Sequence, residues 1–218
     1  MVKVVGLGAG GHAKVILDAL RSSSSCELVG LLDPNPTLLN KKVGGATILG
    51  NDEMIPLLMK QGVEYFFIGV GVRDDTSARQ RLFVHACGLG MKPYSIIHSS
   101  AIIAPSAVLG EGITIFAGAI INADAHIGNN VIINTGAIVE HDCIVGDHAH
   151  IATGARLSGT VKIGFGSHIG VGSSVKQNVS IGQNVTVGAG AVVVHDIPDN
   201  VVAVGVPARI LRTKQGAT

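Results

Sequence analysis

From Ile97 to Val193 every sixth residue is Ile, Leu or Val, seventeen positions in succession without an exception. The series runs through Ile103, Leu109, Ile115, Ile121, Ile127, Ile133, Val139 and Val145, and continues from Ile151 to Val193 in the same step. A half-buried strand repeats every two residues and an amphipathic helix every 3.6, so neither yields an unbroken period of six. Four residues after most of these aliphatics stands a second small or β-branched residue, as at Ala101, Ala119, Ala137, Cys143, Ala155 and Val161. Two buried columns are therefore written into each hexad, which reads as one short strand and one turn. Three hexads make one triangular coil, and about five to six coils stack into a parallel β-helix with a continuous aliphatic core. Gly or Asn follows many of the column aliphatics (Gly110, Gly128, Gly146, Gly164, Gly182), and these positions are expected to be corners with φ > 0.

Composition agrees with a repetitive β architecture: 30 glycines, no tryptophan, 3% aromatic and 14% charged residues. A formal charge of +1 and the absence of any Lys or Arg run argue against nucleic acid or a membrane surface as partner. No apolar stretch approaches the length of a membrane span, and Met1–Gly11 lacks the organisation of an export signal. Cys26, Cys87 and Cys143 are odd in number and widely spaced, which indicates neither a disulfide framework nor a zinc ribbon and fits a reducing cytoplasm.

The first third reads differently. Val2–Val5 is a strand, Gly6-Leu7-Gly8-Ala9-Gly10-Gly11 a glycine loop, and His12–Leu20 a helix. Strands over Leu28–Leu32 and Tyr65–Ile68, a helix over Asp52–Lys60 capped by Asn51, and a helix over Thr76–Cys87 complete a small α/β domain with a parallel sheet. The domains are expected to be 1–94 and 95–218. The loop fits G-x-G-x-x-G, and Asp33 lies 22 residues after Gly11, as in dinucleotide folds. Such glycines let backbone N–H groups approach a phosphate at a helix N-terminus, which any nucleoside diphosphate satisfies. About ninety residues are roughly half of a full two-lobed dinucleotide domain, so nicotinamide is disfavoured; a purely structural turn is the other alternative. Gly8, Gly10, Gly11, His12 and Asp33 are the candidate substrate residues, with a partly charged His12 donating to phosphate.

A solenoid has no cleft, so chemistry must sit on side chains projecting from its coils. His150 and His168 share one column a coil apart; His126 holds the same hexad position on another face; His141 is different, the third residue of its hexad and off both buried columns. No two histidines are five apart, which disfavours the metal site of the gamma-class carbonic anhydrases that share such a fold, and no metal is expected. A base role suits His141 better. Cys143 stands in the inward column, where a thiol is inert rather than nucleophilic.

The segments Asn134-Thr-Gly-Ala-Ile-Val-Glu-His-Asp-Cys-Ile-Val-Gly-Asp-His-Ala-His-Ile-Ala-Thr-Gly154, Leu157-Ser-Gly-Thr-Val-Lys-Ile-Gly164 and Gly205-Val-Pro-Ala-Arg209, with the Gly-Gly-His loop at the N-terminus, resemble the sialic-acid O-acetyltransferase-type hexapeptide acyltransferases. That family includes the bacterial nucleotide-amino-sugar N-acetyltransferases, and the resemblance covers essentially the whole chain. It implies a left-handed β-helix, acetyl-CoA as co-substrate, and a nucleotide-linked amino sugar as acceptor, with GDP-perosamine and UDP-4-amino-trideoxy sugars the main candidates for surface polysaccharide synthesis. It further implies His141 as base with Asp142 beside it, the backbone of Gly159 as oxyanion donor, and a closed homotrimer with sites between subunits. Asn134, His150, Gly205, Pro207 and Arg209 fall on the family's coenzyme A region. Some members carry Glu where Asp142 stands, and the shorter side chain puts the orienting contact in question. O-acetylation of a free sugar and a non-catalytic nucleotide-sensing scaffold are the alternatives.

Overall fold

A computed structural model describes residues 1–23, 26–72 and 75–214. The chain divides into two compact units: Met1–Gly71 with Ala78–Ser99, and Val72–Ser77 with the chain from Ser100 onward.

In the first unit β1 (Val2–Leu7), α1 (Gly11–Ser23), β2 (Cys26–Leu32), β3 (Lys42–Val43), β4 (Ala46–Gly50), α2 (Ile55–Lys60), β5 (Tyr65–Ile68), α3 (Ser77–Gly88) and β6 (Lys92–Pro93) form a six-stranded sheet with its helices. Strand order is β3-β4-β2-β1-β5-β6, parallel except for the β3–β4 hairpin. Val5, Leu7, Leu32, Phe66 and Ile68 bury against Ile55, Leu58 and Ala86. The hairpin and β6 are too short to leave a periodic trace in the sequence. The expected helix over Asp52–Lys60 is divided: Asp52–Met54 is a 3-10 turn capped by the Asn51 side chain, and α2 begins at Ile55. Pro56 is the cause, because it has no N–H for the Asp52 carbonyl, which accepts instead from Ile55 N–H. Helix α3 starts one residue later than expected, where Asp75 Oδ1 accepts from both the N–H (2.9 Å) and the hydroxyl (2.6 Å) of Ser77.

The second unit is the parallel β-helix. Two-residue strands recur every six residues and pair in parallel eighteen residues on, so that three sheets enclose the core. One face carries Ile120–Ile121, Ile138–Val139 and Arg156–Leu157; the next carries His126–Ile127, Ile144–Val145 and Lys162–Ile163; the third carries Ile132–Ile133, His150–Ile151 and His168–Ile169. Both expected columns line one continuous core, from Ile115, Ile121 and Ile127 to Val187 and Val193, with Ala119, Ala137, Cys143 and Ala155 between them. The first member of the period does not join it: Ile97 is 36% exposed, and Ile103 and Leu109 are only partly buried. At the far end a coil closes in sixteen residues, Ile181 pairing with Ile197 and Val187 with Ala203. Val201–Val204 then pairs antiparallel with Arg209–Thr213.

The glycines after the column aliphatics are not the positive-φ corners. Positive φ falls two residues further on, at Gly118, Asp124, Asn130, Gly136, Asp142, His148, Gly154, Thr160 and their successors. Gly110, Gly128, Gly146, Gly164 and Gly182 are glycine because the next coil lies against their α-carbons. A Cβ on Gly164 would sit 2.4 Å from the Gly182 carbonyl carbon, and one on Gly182 2.6 Å from Asp199 N. Where the coils stack this closely a corner carries two special positions, one steric and one torsional.

Candidate active site

His141 stands at the corner between the face of Ile138–Val139 and that of Ile144–Val145, its side chain 60% exposed. Asp142 follows it at φ 57°, a left-handed conformation that Asp tolerates better than most residues. That backbone turn directs the short carboxylate back onto its neighbour: His141 Nδ1–H donates to Asp142 Oδ2 at 2.8 Å, so the orienting contact is made without the longer Glu. The hydrogen bond to Asp142, joined by the charges of Asp142 and Glu140, raises the imidazole above its ordinary pKa. It also fixes the tautomer, leaving Nε2 with the lone pair.

Nε2 faces the next coil. A Cβ built on Gly159 would lie 2.5 Å from both His141 Cε1 and Nε2, so the ring rests directly against the Gly159 α-carbon. Thr160 N–H donates to the His141 carbonyl at 2.9 Å, Thr160 Oγ1 donates to the Gly159 carbonyl at 2.6 Å, and Asn178 N–H reaches the same carbonyl at 3.2 Å. Gly159 N–H has no acceptor among the described residues. A basic nitrogen thus lies against a residue whose backbone donor is uncommitted, the two kinds of group that acyl transfer to an amine requires. Cys143 lies behind it in the core, its Sγ–H donating to the Ser158 carbonyl at 3.2 Å; burial first of all pushes the thiol up to about 11, and it stays protonated.

The residues expected near coenzyme A form a second cluster on the third face. Asn134 Oδ1 accepts from Thr135 N–H at 2.8 Å, which orients the carboxamide so that Nδ2–H donates to His150 Nε2 at 3.0 Å. His150 Nδ1 then carries the proton and donates to His168 Nδ1 at 3.2 Å, the rings 4.8 Å apart between centroids. Burial, then Lys214, holds His168 below its ordinary pKa. Both ring nitrogens of the buried His150 are therefore engaged within the wall of the solenoid. Gly205 (φ 99°) and the cis Val206–Pro207 bond make the turn before Arg209, whose exposed guanidinium donates to the Ala208 carbonyl. Within one chain the His141 corner and the Asn134–His150 cluster occupy different parts of the prism.

In the first unit the glycine loop joins β1 to α1. Gly8 must be glycine, since φ is 104° and a Cβ would meet Val70 N at 2.9 Å; Gly10 and Gly11 have no chain atom within 4 Å of a built Cβ, so the fold does not dictate their identity. Asp33 closes the loop, Oδ2 accepting from Ala9 N–H at 2.9 Å and Oδ1 from Asn35 N–H at 3.0 Å. His12 differs from the expected partly charged donor. Burial and the Arg79 guanidinium push its imidazole down to about 3, leaving it neutral because a second cation beside a buried guanidinium is unfavourable. Arg79, almost wholly buried, donates to the Ile68 and Val70 carbonyls at 3.0 and 2.6 Å and braces the strand end against which Gly8 packs. A pocket of ≈ 470 Å³ opens beside Gly8 and Asp33 and takes in Asp52, Arg81 and His85. Sequence reasoning passed over these three; the i, i+3, i+4, i+7 spacing of Ala78, Arg81, Leu82 and His85 marks a helix face, but nothing in it tells which way that face looks. Among the described residues no group of three or more His, Cys, Asp or Glu is arranged to hold a metal ion.

Residues 3–85 match the family described as PglD N-terminal domain, and residues 124–159 that described as bacterial transferase hexapeptide (six repeats). The chain is 41% identical over 119 residues to UDP-N-acetylbacillosamine N-acetyltransferase of Bacillus subtilis; the match takes in 54% of this chain and 52% of that relative, about half its length. It is 41% identical, with a TM-score of 0.91 over 96% of this chain and 97% of the other, to a histidine-to-asparagine variant of perosamine N-acetyltransferase from Caulobacter crescentus solved with CoA and GDP-perosamine. The acetyltransferase domain of PglB from Neisseria gonorrhoeae, solved with acetyl coenzyme A, is 35% identical with a TM-score of 0.88 over 96% of this chain and 98% of that one.

Proposed function

The chain belongs to the nucleotide-amino-sugar N-acetyltransferases built on a left-handed parallel β-helix, and on that premise we propose that it moves acetyl from acetyl-CoA to the 4-amino group of a GDP- or UDP-linked amino sugar with His141 as general base. The observation that carries the reading is the His141 ring, oriented by Asp142, resting against the Gly159 α-carbon of the next coil.

An amine attacks a thioester only through its lone pair, and the attack leaves nitrogen one proton in excess. His141 Nε2 takes that proton while Asp142 holds the ring in the required tautomer and favours the imidazolium that forms. The thioester carbonyl oxygen becomes an oxyanion, and the Gly159 N–H is a fixed donor for it, a contribution typically worth ~10²–10³ in rate. Collapse of the tetrahedral species breaks the C–S bond, and the proton on Nε2 passes to the leaving thiolate. No acyl-enzyme intervenes, in keeping with the protonated, buried Cys143. The loop at Gly8, Gly10 and Gly11 holds the diphosphate, with backbone N–H groups at the head of α1 and a neutral His12 as donors.

The enzyme acts as a homotrimer in the cytoplasm, supplying acetylated sugar for surface polysaccharide. Supporting this, Ile102, Val108 and Ile144 project from the solenoid faces more than 45% exposed; in such a trimer the His141 corner of one copy would meet the Asn134–His150 cluster of its neighbour. Asn134, His150 and the Gly205–Arg209 turn then form the coenzyme A side of the site. Among the described residues no helix is long and apolar enough to cross a membrane. The test is a panel of GDP-, UDP- and dTDP-linked amino sugars with acetyl-CoA, read as thiol release and as the mass of the acetylated product. Acetylation of at least one of the amino-sugar nucleotides is expected; thiol release with none of them, or equal release with free sugars, contradicts the reading.

A further inference from the structure

The pocket beside the glycine loop has a chemical lining that phosphate binding leaves unused. Pro34, Val70 and Leu82 give it apolar walls, the surroundings a flat heterocycle fills, and Asp52, Arg81 and His85 are its uncommitted polar groups. The two carboxylates there are not equivalent. Asp33 spends one oxygen on Ala9 N–H and the other on Asn35 N–H. Asp52 is half-buried and its carboxylate accepts no hydrogen bond from the described residues, although burial already raises its carboxyl above the ordinary range. It therefore offers two parallel acceptor oxygens to whatever occupies the pocket, with the donors of Arg81 and His85 on the opposing helix face.

Among nucleobases this pattern is selective. Guanine alone presents two adjacent in-plane donors, N1–H and N2–H, to a carboxylate, with the acceptors O6 and N7 on its other edge for Arg or His. Uracil and thymine offer a single N3–H flanked by two carbonyls that a carboxylate repels. Adenine and cytosine set one amino group beside a ring-nitrogen acceptor. We infer that this pocket receives the base of the substrate nucleotide and that Asp52 selects guanine through N1–H and N2–H. The inference rests on the proposed nucleotide-sugar reading and narrows it to a guanosine diphosphate acceptor.

The experiment is calorimetric titration of the full chain with GDP, UDP, IDP and XDP, repeated on Asp52→Asn. Wild type is expected to bind GDP roughly 10-fold to 100-fold tighter than UDP, as one bidentate base contact provides, and to bind IDP, which lacks the N2 amine, more weakly than GDP. In Asp52→Asn the amide accepts from N1–H and donates to the xanthine O2, so the preference should pass from GDP to XDP. A purely structural Asp52 does not produce that exchange. UDP binding as tight as GDP, or a variant weakened toward GDP and UDP alike because Asp52 holds the shared ribose hydroxyls, overturns the base assignment while leaving the acetyltransferase reading in place. Failure of every nucleoside diphosphate to bind overturns both.

Discussion

Gly159→Ala is the substitution most informative about the site, because its effects on fold and on chemistry separate. Gly159 does not have a positive φ, so alanine is torsionally acceptable there. The added Cβ would lie 2.5 Å from His141 Cε1 and Nε2, against the 3.4 Å at which ordinary contact begins, so the imidazole must retreat by about 0.9 Å. An exposed ring on a surface corner can do so, and the melting temperature should hardly change. The retreat stretches the 2.8 Å bond from Nδ1 to Asp142, moves Nε2 off the line of attack and crowds the Gly159 N–H. A misplacement of about 1 Å costs on the order of 10² in rate, and an impaired oxyanion donor another ~10²–10³. Steady-state thiol release should therefore show kcat reduced by at least ~10² with an intact fold by circular dichroism. Turnover within a few-fold of wild type in a folded Gly159→Ala protein would refute the account of how the base is placed.

Further outcomes follow from the same geometry. Asp142→Asn removes the contact that raises the His141 pKa; because the base must be unprotonated, the acid limb of kcat/KM against pH should move to lower pH while the plateau falls, and an unmoved limb would show that Asp142 does not set the titration. Cys143→Ala should keep near-wild-type turnover, and brief iodoacetamide treatment at neutral pH should leave the Cys143 peptide unmodified by mass spectrometry, as expected of a buried thiol at about 11. Ile151→Ala, in the fully buried column, should cost about 2–5 kcal/mol in denaturant unfolding. The two kinds of corner glycine should also part company: Gly172→Asn should be tolerated, since Asn130, Asn178 and Asn184 hold the equivalent position, whereas Gly164→Asn should fail to fold because the next coil's backbone occupies the space.

What could be read in the sequence was whatever a rigid period dictates. The aliphatic column fixed the β-helix because each member must be buried, and the position of His141 off both columns followed from counting. The spacing from His141 to Gly159 placed them one coil apart on the same corner, and the ring does rest on that glycine. The period could not tell which of two glycine-rich positions carries the left-handed backbone; that depends on how closely coils stack, and the torsional corner is filled by Asp, Asn, His and Thr as readily as by Gly. Nor could it show that His150 spends both nitrogens on Asn134 and His168, since hydrogen bonding between columns is a matter of side-chain orientation. In the α/β unit the loop and Asp33 were legible because the chain passes through them consecutively. Asp52, Arg81 and His85 were not, because a strand end and a helix face meet there only once the sheet has formed.

The central claim is that His141 takes the proton of the attacking amine. Its most direct test is single-turnover thiol release by wild type and His141→Asn, each saturated with acetyl-CoA and mixed with the amino-sugar nucleotide that the wild type accepts, across the pH range of imidazole titration. The account predicts a wild-type rate that rises with pH through a pKa above the ordinary histidine value, and a variant that still binds both substrates but transfers acetyl at least ~10² more slowly, without that titration. A His141→Asn protein with a comparable rate and the same pH profile would contradict it.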